Sequence, residues 1–235
     1  MNGNSMKKIA YANAVADDKV RRFVPPVRVV RESAGVSDSA ALLDGVHTQS
    51  FVHFNPRECV LPPGGEIILD FGLELHGLLT VTTGCMKLSR ARITFGESVS
   101  ETLGTPTQDH AIHQELLSLP QLGQVNFGQT AFRFVRLEIP ADAPEVRLIG
   151  VVATAIYRDW EYRGTFLSDD ERLNRIWEVG AYTVHLNCQD YIYDGVKRDR
   201  LVWMGDLYPE IRTILAAFDE TALVEKSLDF VRDHT

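Results

Sequence analysis

The chain has 235 residues, 45% hydrophobic and 24% charged, with a formal net charge of −8. That length and apolar content suit one large or two ordinary globular domains and exclude a disordered chain. The acidic balance argues against nucleic acid as the main partner, since phosphate binding needs a basic face, and it fits a neutral ligand better.

The N-terminus, MNGNSMKKIAYANAVADDKV, has Lys7 and Lys8 but no continuous apolar run behind them. It therefore predicts neither a signal peptide nor a membrane span, and the expected location is cytoplasmic unless an export signal has been removed. Cys59, Cys85 and Cys188 are odd in number and widely spaced, with no CxxC. They are expected as buried thiols, not as a disulfide framework or a zinc site. His110 and His113, three apart beside Asp109, hint at a metal pair, but GTPTQDHAIHQE reads as an exposed loop without further ligands. Neither metal nor cofactor is expected.

Up to about Tyr162 the vocabulary is that of short strands. EIILDFGLELHGLLTVTTG holds two apolar runs, Ile67 to Phe71 and Leu75 to Val81, separated by glycines and bounded by the turn signals PPGG and TTG. AFRFVRLEIP alternates with a period of two, setting Ala131, Arg133, Val135 and Leu137 on one face and Phe132, Phe134, Arg136 and Glu138 on the other. VRLIGVVATAIYRDWEYRGTF continues in β-branched and aromatic residues. Many short strands with little helix between them predict an antiparallel, jelly-roll-like β-sandwich.

At Phe166 the period changes. Ser168, with Glu171 three residues later, is a capping-box pattern, and Leu173, Ile176, Trp177, Gly180, Ala181 and Val184 recur at helical spacing. Two further amphipathic stripes follow: Leu207, Ile211, Ile214, Leu215 and Phe218, then Leu223, Val224, Leu228 and Val231. Three such helices do not close a core, so this part reads as the opening of a larger helical domain and the chain as an N-terminal fragment. The expected division is a sandwich over residues 1–162 and a helical part over 163–235. Trp160 and Trp177 are expected in the core, Trp203 in either a pocket wall or the core. Glu97 and Glu101 are expected in a sandwich turn, and Glu210 in a structural role within the second helix.

Between the first two helices stands YDGVKRDRLVWMGD, with Asp194, Asp199 and Asp206, the cations Lys197, Arg198 and Arg200, and Trp203. A solvated, salt-bridged loop is one reading. The other is sugar recognition, because residues on a helix-to-helix connection converge on one end of a bundle. There carboxylates accept hydrogen bonds from hydroxyls, and an aromatic ring covers the C–H face of a pyranose. Glycosidic cleavage also needs one protonated acid and a second carboxylate to handle water.

The motif resembles that of bacterial α-L-rhamnosidases of glycoside hydrolase family 78, roughly D-G/P-x-x-R-D/E-x-x-x-W-x-G-D, here Asp194, Gly195, Arg198, Asp199, Trp203, Gly205 and Asp206. LDFGLELHGLLTV, ITFGESVSE and FRFVRLEIP are similar to that family's sandwich domain, and FLSDDERLNRIWEVGAYTVHLN to the first helix of its barrel. The resemblance implies a truncated (α/α)6 barrel behind the sandwich and inverting release of terminal L-rhamnose from a rhamnose-containing glycoside or oligosaccharide. It implies that Asp199 is the general acid, kept protonated by negative neighbours and partial burial, and that Asp194, Arg198, Trp203 and Asp206 bind the sugar. The family's usual acid is glutamate, one methylene longer, with aspartate in a Lys-Arg-Asp-Arg subgroup; the general base is expected downstream of residue 235. Arg198 or Arg200 is expected to pair with Asp194 or Asp206, because a cation at Asp199 would favour its ionised form. The alternatives are a non-catalytic carbohydrate-binding sandwich module, or another glycosidase or lyase on the same helical barrel.

Overall fold

Period-two runs of β-branched and aromatic side chains build the first part of the molecule, a computed structural model that describes residues 18–45 and 57–234. The N-terminal stretch with Lys7 and Lys8 lies outside the described residues. The strands are β1 (Lys19–Val24), β2 (Arg28–Glu32), β3 (Cys59–Leu61), β4 (Glu66–Thr83), β5 (Ser89–Gly96), β6 (Gln114–Leu119), β7 (Gln124–Glu138) and β8 (Val146–Arg158). A one-turn helix, α1 (Val99–Thr102), follows β5, and three longer helices close the described chain: α2 (Glu171–Asn187), α3 (Met204–Ala217) and α4 (Ala222–His234). No described helix is long and apolar enough to cross a membrane.

Every strand pairing is antiparallel, in the order β1-β8-β4-β7-β5-β6, with β2 added to β4 and β3 to β8. The N-terminal half of β4 pairs with β2 and its C-terminal half with β8, while β7 follows it along both halves. Such a β-rich arrangement is consistent with a β-sandwich, and its interior holds Leu69, Leu79, Ile93, Phe95, Phe132, Val135 and Leu148, all fully buried.

The sequence reading of two runs in 67–81 is corrected here: β4 is one continuous strand with a register shift between Asp70 and Leu75. Gly72 sits at the shift with φ 87°, a left-handed conformation that glycine adopts without steric cost. Asp70, 1% exposed, holds the bend: it accepts from Gly72 N at 2.8 Å, from Arg133 Nε and Nη2 at 2.9 and 3.0 Å, and from Arg28 Nη2 at 2.7 Å. Burial acts to raise its pKa, but these donors overcome it and hold the carboxyl down at about 2. The two-faced reading of β7 is corrected as well. Phe132 joins the same core as Val135 and Leu137, and Ala131 packs with Leu186 and Val196, because β7 follows β4 through the bend and its inward face changes partners.

The N-cap of α2 is Asp170, not Ser168: Asp170 Oδ1 accepts from Arg172 N at 2.9 Å. Ser168 is engaged one step earlier, accepting from Asp170 N through Oγ and exchanging two hydrogen bonds with the Asn174 amide. Between β8 and α2 the chain is strapped to the end of α3 by Arg163 N and Gly164 N, which both donate to Ala217 O. A Cβ on Gly164 would lie 1.8 Å from Ala216 O, so only glycine fits this approach. Trp160 stacks on His185 at 5.7 Å, and Trp177 packs beside Ala181, Ala217 and Phe218; both are half-buried against the core and not enclosed in it, which corrects the expectation of core residues. The predicted apolar face of α2 is only half covered: Ala181 is buried, whereas Leu173 and Ile176 are exposed.

Candidate active site

The loop from Tyr193 to Trp203 takes its shape from hydrogen bonds at both ends. His185 Nε2 donates to Arg158 O at 2.7 Å, and Arg158 Nε and Nη2 both donate to Gln189 O, which ties the end of β8 to the end of α2. Asp194 closes the loop: its N–H donates to Leu201 O at 2.9 Å, and its Oδ1 accepts from Leu201 N at 2.8 Å. At the turn Asp199 and Arg200 have φ 60° and 55°. Consecutive non-glycine residues in the left-handed region each cost on the order of 1–3 kcal/mol and persist only where the surroundings impose them.

Lys197 does much of that imposing. Its Nζ forms an ion pair with Glu101, and both side chains are largely shielded, at 5% and 17% exposed. Asp199 is exposed and pairs with Arg198 at 3.2 Å. This corrects two expectations. No pairing of Arg198 or Arg200 with Asp194 or Asp206 occurs among the described residues, because Asp194 spends its carboxylate on the loop closure, and the partial burial expected around Asp199 is absent.

Asp199, Arg198 and Arg200 line a cleft of about 370 Å³ whose opposite wall is His110, Ile112, His113 and Thr130 from the β-rich part. His113 is wedged between Phe95 and Phe127, with ring centroids 5.3 and 5.0 Å away, and burial lowers its pKa. Its role is packing, and no group of three metal-ligating side chains occurs among the described residues.

Asp206 occupies the first turn of α3, where a negative charge complements the helix dipole. Trp203, the residue before that helix, is 59% exposed, so it is not a core residue. Behind these two lies Glu210, 6% exposed, accepting from Asn187 Nδ2 at 2.9 Å through one oxygen while the other has no hydrogen-bond partner. Burial, reinforced by the charges of Asp206 and Asp194, pushes its pKa up to about 7. The structure thus sets Asp194 and Asp206 within electrostatic reach of Glu210 and places Asp199 in the cleft beside the β-rich part. The three cysteines are buried thiols, with pKa values raised chiefly by burial.

Sequence reasoning missed the histidine wall, the Glu101 partner and the burial of Glu210. The first two depend on contacts about a hundred residues apart and have no local signal. The third had one, a glutamate on the inward stripe of α3.

Residues 161–235 match the family model of the bacterial alpha-L-rhamnosidase 6 hairpin glycosidase domain. No match was found among curated proteins. Among solved structures, a rhamnosidase from Klebsiella oxytoca with rhamnose bound aligns at TM-score 0.70 and 25% identity, over 89% of this chain and 43% of that one. The GH78 family rhamnosidase of Bacillus sp. GL1 aligns at 0.65 and 20%, over 83% and 21%, and the α-L-rhamnosidase from Dictyoglomus thermophilum at 0.62 and 19%, over 90% and 21%; these two carry the fold alone. The chain spans less than half the length of each. The chain is thus similar to the rhamnosidase from Klebsiella oxytoca over most of its own length, and its residues 161–235 match the six-hairpin glycosidase domain of bacterial alpha-L-rhamnosidases.

Proposed function

We propose that this chain supplies the jelly-roll sandwich, residues 1–162, and the opening of the (α/α)6 barrel, residues 163–235, of an inverting α-L-rhamnosidase in which Asp199 is the general acid. The observation that carries the reading is the conformation of the motif loop. Two strained residues present Asp199 at the mouth of a cleft, and strain of this kind collects where function over-determines the backbone. The exposed apolar residues of the helices, Leu173, Ile176 and Val179 on α2 and Leu215 on α3, suit further helical hairpins packing on them.

In this mechanism terminal rhamnose lies against Trp203, its hydroxyls donating to Asp194 and Asp206. Asp199 gives its proton to the departing oxygen as the glycosidic bond breaks. A general base from the remainder of the catalytic domain activates water on the opposite face, and a gap of about 6.5–9.5 Å between the two carboxyl groups leaves room for that water and inverts the anomeric centre. Arg198 must swing away from Asp199 as substrate enters, since a paired cation favours the ionised acid.

The test uses the complete enzyme and two rhamnosides, one with a good leaving group and one with a poor one. Asp199→Asn lowers kcat by about two to four orders of magnitude on the poor leaving group and far less on the good one. Asp194→Asn and Asp206→Asn weaken rhamnose binding by about 1.5–3 kcal/mol each on both substrates. Equal losses for all three variants on both glycosides would exclude Asp199 as the acid.

A further inference from the structure

We infer that Lys197 and Glu101 are a positioning pair through which the β-rich part sets the loop that carries Asp199, an inference that rests on Asp199 being the acid. Glu101 stands on α1, the single turn that follows β5. The backbone there is locked: a Cβ on Gly96 would lie 2.7 Å from Ser98 O, Ser98 Oγ accepts from Glu101 N at 3.2 Å, and Glu101 Oε2 accepts from Glu97 N at 2.7 Å. One carboxylate oxygen therefore fixes Glu101 to its own turn, and the other reaches Lys197, 96 residues along the chain.

Lys197 lies two residues before Asp199 and next to Val196, a buried residue packed with Ala131 of β7 and Leu186 of α2. Val196 and Lys197 thus clamp one arm of the turn to the β-rich part, while Asp194 and Leu201 close its base. The carboxylate of Asp199 pairs with its neighbour Arg198, within the turn itself. Burial, reinforced by the neighbouring Glu97, pushes the Glu74 carboxyl up to about 7, and Lys197 and Glu101 both lie close enough to act on it, so the pair meets at the edge of an acidic group of side chains. The geometry makes the first domain part of the acid's alignment, not merely a neighbour of the catalytic domain.

The test compares Lys197→Met, Glu101→Gln and the swap Glu101→Lys/Lys197→Glu with wild type and Asp199→Asn in the complete enzyme. Two readouts are taken: amide hydrogen exchange over residues 194–201, and kcat and KM on the two rhamnosides. Each single variant speeds exchange in that segment at least tenfold. Each also lowers kcat about 10- to 100-fold on the poor leaving group and much less on the good one, with KM within about threefold of wild type. The swap recovers a good part of both. Unchanged exchange and kcat in a folded Glu101→Gln variant, or equal kcat losses on both substrates, overturn the inference. Failure of the parent reading is distinct: Asp199→Asn then shows no dependence on the leaving group, whatever the pair variants do.

Discussion

Glu210 is a carboxyl group kept out of water with one of its oxygens unpaired, and its cost depends on pH. Its pKa is raised to about 7 in the folded chain, so the folded state binds its proton more tightly than the unfolded state does. A raised acid gives stability that is fully present below the ordinary carboxylate pKa and is lost as pH rises through about 7. Glu210→Gln keeps the shape and the Asn187 partner but cannot ionise. Relative to wild type, the variant should gain up to about 3 kcal/mol in stability between pH 5 and pH 8, read from urea midpoints across that range. A gap that stays constant with pH would show that Glu210 ionises freely in the fold. Burial is the main cause of the shift, and the charges that reinforce it, on Asp206 and Asp194, belong to the proposed sugar ligands.

At the scale of the element, the bend in β4 decides how the strands are shared between the two halves of the sheet. Asp70 stabilises it through four donors, three of them on guanidinium groups. Arg28 and Arg133 are partly exposed, so solvent screening trims their contribution, and Asp70→Asn should cost about 1–3 kcal/mol at neutral pH. A depressed carboxylate contributes stability above its ordinary pKa and loses it as pH falls through its folded value. The gap between wild type and Asp70→Asn should therefore close between about pH 4 and pH 2, followed by chemical denaturation at each pH. No gap at any pH would mean that the bend is held by Gly72 and packing alone, and a gap that persists undiminished at pH 2 would mean that the charge on Asp70 contributes nothing. The helices behave differently. Each of α2, α3 and α4 has a buried stripe, yet Leu173, Ile176, Leu215 and Leu228 keep large exposed areas, so the amphipathic pattern is only partly satisfied by the helices described.

For the whole molecule, the proposed acid and sugar ligands lie on this chain, while the proposed base is expected outside it. Residues 1–235 expressed alone should fold, giving a mixed β and α circular-dichroism spectrum, and should release no rhamnose from an aryl α-L-rhamnoside, whereas the complete enzyme should. Release by the shorter chain at a comparable rate would move the second catalytic group into these residues. The ion pair between Lys197 and Glu101 and the hydrogen bonds that link Arg158 with Gln189 and His185 join the β-rich part to the helical part at separate places. Activity should therefore be sensitive to substitutions far from the motif in sequence.

The sequence alone determined what periodicity and local chemistry can specify: strands where residues alternate, helices where apolar positions recur at three and four, and a motif whose acids, arginine and tryptophan carry a family resemblance. It placed Asp194 and Asp199 on one connection because their spacing is local, but it set Asp206 there too, whereas Asp206 belongs to the first turn of α3. It could not fix the N-cap of α2, where Ser168 and Asp170 compete within three residues and the Asn174 amide decides. Nor could it join the two runs of β4 or turn the inward face of β7, because both follow from a bend held by arginines 42 and 63 residues away. The partners of the motif were beyond it for the same reason. Whether Arg198 meets Asp194 or Asp199, and whether Lys197 meets solvent or Glu101, is set by which surfaces the packed sheet and helices bring together.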